Sequence, residues 1–319
     1  MATQTIVREY EAELEVVEAR VVADDVIALT LAHPGGEDLP PWTPGAHIDL
    51  ILGDDVVRQY SLCGSPAEPG RWRVGVLRTP DSRGGSKAVH ALEVGAAVRV
   101  RGPRNHFPFV AARRYLFVAG GIGITPLLPM IAEAAAAGAD WRLIYGGRSR
   151  ASMAFVDELS AYGDRVVLMP QDEVGFPDLD ALLGTPEAGT LVYTCGPTGL
   201  LDAIEERCGA WPAGSLHLER FVAKAADATG NTEFELVLQQ SGLTLTVPPH
   251  RSVFEVCKEA GVSVVGSCLE GVCGTCETEV VDGEVDHRDS VLNDEEQASN
   301  EYMMICVSRC RGARLTLDL

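Results

Sequence analysis

Four cysteines carry the most explicit chemistry in the chain: Cys268, Cys273 and Cys276 in the run CLEGVCGTC, and Cys306 farther on. A C-x4-C-x2-C spacing with a distant fourth thiolate is the plant-type ligand pattern of a 2Fe-2S cluster, in which a tight loop holds one side and a later strand closes the other. Gly271 and Gly274 stand where such a loop must turn sharply and aim N–H groups at sulfur. Structural zinc sites usually pair two C-x-x-C hairpins, and only one is present. Cys310 follows four residues after Cys306, and in an extended segment the two would face the same side, so spacing alone leaves the fourth ligand open between them. Cys63, Cys208 and Cys257 read as packing residues.

A second group is Arg58-Gln59-Tyr60-Ser61-Leu62 together with Arg83-Gly84-Gly85-Ser86, which precedes the helical run KAVHAL. Alone, the first is an ordinary strand and the second a glycine turn. Together they suit a flavin: an aromatic and a hydroxyl on a strand line the ring system, and glycines opening a helix expose N–H groups to a phosphate that Arg58 also attracts. The third group, Gly120-Gly121-Ile122-Gly123-Ile124-Thr125-Pro126, follows the strand-like YLFVA and opens a helix, as a dinucleotide-binding loop does. It departs from G-x-G-x-x-G, because the third glycine of that pattern would fall at Pro126. Cys195-Gly196-Pro197 follows another strand and opens another helix, which places small residues at the same sheet edge. Arg148 and Arg150, in YGGRSR, stand where a ribose 2′-phosphate would be met. The histidines form no metal-ligand spacing, and no G-x-S-x-G elbow is present, so a hydrolase reading has no residues to use.

The elements that must position these groups fall into three stretches. Residues 11–109 hold short alternating apolar runs punctuated by HPGGED, LGDD and SPAEPG, the pattern of an antiparallel β-barrel or sandwich. From Tyr115, strand-like YLFVA, WRLIY, RVVLM, LVYTC and SLHL alternate with helix-like LLPMIAEAAAAG, ASMAFVDELSAY and GLLDAIEERC, which predicts an α/β domain on a parallel sheet. Residues 222–231 are small and polar and read as a linker. Two strands, a helix and the cysteine loop follow. The expected division is 1–110, 111–222, a linker at 223–232, and 233–319.

The 319 residues carry 46 acids against 26 bases, a net charge of −20, which disfavours nucleic acid and anionic membranes as partners. The uncharged window 115–132 contains Gly120, Gly121, Gly123, Pro126 and Pro129, which break a spanning helix. The N-terminus shows no apolar signal-peptide core. A reducing cytoplasm is the expected setting, with clustered cysteines serving a cofactor rather than disulfides.

In this order the motifs resemble the phthalate dioxygenase reductase and vanillate O-demethylase reductase family, within the ferredoxin-NADP reductase-like superfamily. The resemblance extends over about residues 8–319. The family's R-x-Y-S motif matches Arg58, Tyr60 and Ser61, and its G-G-x-S turn is approximated by Gly84, Gly85 and Ser86. G-G-I-G-x-T-P matches Gly120 through Pro126, and C-G-P matches Cys195 through Pro197. The resemblance implies a multidomain chain: an antiparallel β-barrel flavin domain, an α/β parallel-sheet nucleotide domain and an α+β (β-grasp) ferredoxin domain. It implies FMN rather than FAD, NADH as the usual donor with NADPH possible, Phe221 covering the flavin, and Thr125 and Cys195 at the reacting edge. It also implies Cys306 as fourth cluster ligand, since a V-S-R segment follows it, with Cys310 as a departure that leaves a swap open. The partner so implied is a terminal oxygenase, of Rieske type or a cytochrome P450, served by a monomer. A redox-sensing regulatory module is the competing class, and it would leave the nicotinamide motifs without a role.

Overall fold

The structure is a computed structural model that describes residues 9–53, 56–80, 84–223 and 229–319; half of the expected linker, 224–228, lies outside the described residues. Its contacts divide the chain into two compact units, Met1–Glu219 and Arg220–Leu319.

The first unit opens with β1 (Glu11–Ala23), β2 (Val26–Ala32), β3 (His47–Ile51), β4 (Val57–Ser61), β5 (Trp72–Leu77), α1 (Gly85–His90) and β6 (Ala97–Arg104). These strands pair antiparallel in the order β4-β3-β6-β1-β2-β5, and a Leu62–Val74 bridge joins the two ends into a barrel. Alternation sends Leu14, Val16, Leu29, Leu31, Ile48 and Val100 inward. One charge also lies inside: Asp49 is fully buried and accepts from Gln59, Arg101 and Arg104. Burial alone would raise its carboxyl, but the two guanidiniums and the amide outweigh that and hold it below its ordinary value.

The chain continues through β7 (Arg114–Gly120), α2 (Ile124–Ala136), β8 (Asp140–Gly147), α3 (Val156–Ser160), β9 (Val166–Pro170), α4 (Gln171–Val174), α5 (Leu179–Leu183), β10 (Thr190–Cys195), α6 (Thr198–Cys208) and β11 (Leu216–Glu219). The strands form a parallel sheet in the order β11-β10-β7-β8-β9. Its order reverses between β7 and β10, the place where open α/β sheets bind ligands beyond their strand ends. The apolar window 115–132 is thus β7, a turn and half of α2, and no helix among the described residues is long and apolar enough to cross a membrane.

One local expectation changes, and the two sheets of the first unit share a core. Barrel and parallel sheet are one compact unit, because Val26, Ala28 and Cys63 of the barrel stretch share a core with Phe117, Leu127 and Phe155. The run 151–162 is a short 3-10 turn followed by the five-residue α3, because Phe155 takes φ 62 at the junction. That kink packs the Phe155 ring beside Gly75 of β5 and under the guanidinium of Arg73, 5.2 Å from the ring centre. Arg73 also pairs with Glu158 of α3 at 2.8 Å.

The second unit contains β12 (Phe234–Leu238), β13 (Leu243–Val247), α7 (Val253–Glu259), β14 (Glu277–Asp282), β15 (Val285–Asp286), α8 (Asp294–Ser299), β16 (Tyr302–Met304), β17 (Arg309–Cys310) and β18 (Arg314–Leu317). Five strands form a mixed sheet in the order β13-β12-β18-β14-β16, and β15 pairs with β17. Helix α7 lays Val253, Phe254 and Cys257 into the core with Leu236, Met303 and Leu315. Its start is fixed reciprocally: the Ser252 hydroxyl accepts from Glu255 N–H at 3.2 Å, and the Glu255 carboxylate accepts from Ser252 N–H at 2.9 Å. Such a cap stabilises by about 1 kcal/mol. Arg309 is buried and donates to the carbonyls of Thr232, Pro248 and Arg251 while stacking over Phe234.

Candidate functional site

In the first unit, the flavin-type residues gather where β4 meets the turn before α1. Gly84 has φ 91, a left-handed conformation that glycine alone adopts without strain. A Cβ on Gly85 would lie 2.4 Å from Arg58 Cγ and 2.8 Å from its Nε, so the Arg58 side chain crosses the turn in contact with the glycine backbone. Arg58 is further held by its bond to Val57 O at 2.7 Å. The Ser86 hydroxyl accepts from Thr79 N–H at 3.2 Å. A guanidinium across a glycine turn at a helix start is a cradle for a phosphate. Tyr60 packs against the barrel core, and its phenol is pushed up to about 12 by burial, with Arg58 opposing. Arg83 lies outside the described residues.

The nucleotide-type glycines bring two turns into close approach. A Cβ on Gly120 would lie 2.6 Å from Pro197 Cδ, one on Gly123 2.2 Å from Cys195 O, and one on Gly196 3.0 Å from Gly120 Cα. These three let the β7–α2 and β10–α6 turns pack backbone against backbone. Gly121, at φ 54 with nothing near its Cβ position, is the one left open. Thr125 is buried, its hydroxyl donates to Ile122 O at 2.9 Å, and its methyl abuts Gly75 of the barrel. It therefore positions the loop against the barrel. Arg148 is exposed at the end of β8, and Arg150 lies 3.8 Å from Glu173.

Cys195 and Glu219 end adjacent strands and pair in register. Burial, helped by the Glu219 charge, pushes the Cys195 thiol well up, so it stays protonated. Glu219 belongs to none of the sequence motifs. Its carboxyl is raised to about 8 by burial, against the opposing hydrogen bond from the Ser61 hydroxyl. Its Oε2 is buried and has no partner in the protein, a polar atom that a bound group with a polar edge would satisfy. Ser61, Cys195 and Glu219 thus bring the R-x-Y-S strand, the C-G-P strand and the last strand of the sheet together. A glutamate at the C-terminal end of a strand, the end of the sheet where α/β ligands bind, is the signal that points to it.

In the second unit, Cys268, Cys273, Cys276 and Cys306 are brought together. Cys268 touches Cys273 and Cys306, and Cys276 touches Cys306. Contacts from Cys273 and Cys306 hold the Cys268 thiol well down, and contact from Cys306 lowers Cys276, while Cys273 and Cys306 are pushed up as their donors. The four thiols thus form one run of contacts, Cys273–Cys268–Cys306–Cys276. Gly271 and Gly274, both at φ 72, turn the loop. Glu270 N–H donates to Cys268 Sγ at 3.3 Å, and Ser290 N–H clasps the loop at Gly271 O at 2.8 Å. Leu269, between Cys268 and Glu270, takes φ 58, which costs a residue with a Cβ roughly 1–2 kcal/mol.

Cys310 is set apart. Its Sγ accepts from Gly312 N–H and donates to Arg314 O, both at 3.3 Å. The segment after Cys306 is not extended, because Val307 and Ser308 N–H turn back to Met304 O. The same-face argument that ties the two cysteines together does not apply. Cys63, Cys208 and Cys257 are buried and free. Phe221 follows β11 by two residues and is 40% exposed.

Residues 236–311 match the model of the 2Fe-2S iron-sulfur cluster binding domain. The chain is 45% identical over 301 residues to phenoxybenzoate dioxygenase subunit beta of Ectopseudomonas oleovorans, covering 93% of this chain and 94% of that one. The crystal structure of phthalate dioxygenase reductase, described as a modular structure for electron transfer from pyridine nucleotides to 2Fe-2S, superposes with a TM-score of 0.70 at 37% identity, covering 97% of this chain and 98% of that one. An intact type IV self-sufficient cytochrome P450 monooxygenase superposes with a TM-score of 0.93 at 45% identity, and this chain spans 97% of itself but only 41% of that protein. The same full-length similarity extends to vanillate O-demethylase oxidoreductase and phthalate dioxygenase reductase sequences, and the chain belongs to that family of oxygenase reductases.

Proposed function

We propose that the chain is the reductase component of a Rieske-type aromatic oxygenase or demethylase, drawing electrons from NADH and delivering them singly to the oxygenase. One observation carries this: a single chain folds both a flavin-and-nucleotide edge and a four-thiol loop. When bound, FMN supplies the exchange between hydride and single electrons, and a 2Fe-2S cluster supplies one-electron carriage.

Arg58 and the turn Gly84-Gly85-Ser86 hold the flavin phosphate, with Tyr60 and Ser61 against the ring. Gly121 and the N-terminus of α2 take the dinucleotide pyrophosphate, supported by Gly120, Gly123, Gly196 and Pro197. Arg148 lies beside the adenosine end. Glu219 is neutral near pH 7 and holds a proton between Ser61 and Cys195. Cys268, Cys273, Cys276 and Cys306 hold the irons. NADH is favoured over NADPH because Glu173 lies beside Arg150, one of the two cations available for a 2′-phosphate. The protein acts as a cytoplasmic monomer, which gel filtration checks.

The purified holoprotein is expected to show flavin and cluster absorbance and to reduce ferricyanide and cytochrome c with NADH. Absence of turnover with either nicotinamide nucleotide would overturn the reading. The likeness to 41% of a self-sufficient cytochrome P450 monooxygenase supports a second reading, electron delivery to a cytochrome P450. Coupled turnover with a P450, but not with a Rieske oxygenase, would select it.

A further inference from the structure

We infer that Leu269 and Val265 form the apolar centre of the surface on which the electron-accepting protein docks, an inference that rests on the reductase reading above. Leu269 is 50% exposed and Val265 53% exposed, while their apolar neighbours Val262, Val264 and Val272 are partly buried and Phe254 is buried. Gly266, the residue after Val265, links them. A Cβ on Gly266 would lie 2.8 Å from Leu269 Cδ2 and 2.6 Å from Phe254 Cε2, so Leu269 rests on the Gly266 backbone beside the Phe254 ring.

The conformation makes the choice of residue informative. Leu269 is held at φ 58, where glycine would be unstrained. Glycine there would still let Glu270 N–H reach Cys268 Sγ, so the loop's own hydrogen bonding does not call for leucine. Strain kept in an exposed apolar side chain points to a use for that side chain. Its position fits one: of the four clustered cysteines, Cys268 is the one that is not buried, and Leu269 is its neighbour. An acceptor seated on Leu269 takes the shortest way off the thiolates, and electron transfer slows steeply with distance.

Charge identifies the occupant. Between Lys258 and Arg288 the chain carries seven acids and no Lys or Arg. The complementary partner is a protein whose acceptor centre opens in an apolar spot ringed by basic residues.

Horse-heart cytochrome c, with its lysine-ringed haem edge, is the probe. In the holoprotein, Leu269→Gly is expected to keep cluster absorbance and the NADH–ferricyanide rate, with a melting temperature no lower than the wild type's because the backbone strain is relieved, while KM for cytochrome c rises about fivefold with kcat little changed. Leu269→Met is expected to restore KM to within twofold of the wild type. An unchanged KM in Leu269→Gly with the cluster intact would overturn the inference. So would a slower internal flavin-to-cluster step in single-turnover mixing, with KM unaltered, because the patch would then serve the chain's own flavin. Loss of ferricyanide reduction in the unsubstituted protein would instead defeat the reductase reading.

Discussion

The two units build their sites by opposite means. In Arg220–Leu319 the groups that matter are side chains: four thiols drawn together by a turning loop and the turn that follows β16. In Met1–Glu219 they are largely backbone, made available because Gly85, Gly120, Gly123 and Gly196 lack the atom that would keep neighbours apart. A thiol site depends on identity and fails when one atom changes. A backbone site depends on proximity, and it fails when one atom is added.

Substitution breaks this contrast most completely at the thiols. Cys306→Ser is expected to abolish cluster absorbance in the visible while leaving bound flavin and NADH–ferricyanide activity, because those depend on the other unit. Cys310→Ser is expected to leave the cluster spectrum intact, and the reverse pattern would move the fourth ligand to Cys310.

Next in size is Glu219→Gln. The folded carboxyl titrates near 8 rather than at its ordinary 4.5, so the contribution of its proton is fully present below about 4.5 and is lost as pH rises through about 8. Wild-type stability, followed as the melting temperature, should therefore decline across that window, by at most about 1.4 kcal/mol for each step of one in pH. The glutamine variant should lack this decline, and parallel profiles would remove Glu219 from its buried, protonated role.

Gly123→Ala tests the backbone site. The new Cβ would meet Cys195 O at 2.2 Å, an overpacking that costs roughly 1–3 kcal/mol. The melting temperature should fall and KM for NADH rise, with the cluster spectrum unchanged; an unaltered KM would show that the two turns need not touch. The smallest effect expected is electrostatic. Residues 227–319 carry a net charge of −11. Reduction of cytochrome c should slow as salt shortens the Debye length toward ~8 Å, reduction of a neutral quinone much less, and Glu270→Gln should soften the difference slightly. Equal salt responses for both acceptors would leave those acids as solvating groups only.

Much of this is legible in the sequence, for physical reasons that differ by residue. Cys268, Cys273 and Cys276 announce themselves because thiolates at fixed spacing have few other uses. The barrel and the parallel sheet follow from apolar periodicity of two and its alternation with helical runs. Glu219 escapes a reading by motif because its importance comes from Ser61 and Cys195, which lie far away in sequence on two other strands. The α3 run reads longer than it is because Phe155 gives no composition signal for φ 62; the demand comes from Gly75 and Arg73 across the unit. The contacts of Thr125 are likewise invisible in its motif: its methyl packs against Gly75 of the barrel and its hydroxyl donates to Ile122 O.

Arg309 has a consequence for how such chains are assembled. Its guanidinium fastens the carbonyls of Thr232, Pro248 and Arg251 to the strand that follows Cys306. The second unit is therefore locked at its point of entry by a residue near its own end, and the fold closes on itself from Thr232 onward. Chain length inserted ahead of Thr232 changes a tether and leaves the thiols where they are. A cassette with that property can be joined to different neighbours, in one polypeptide or in several, without retuning its metal loop.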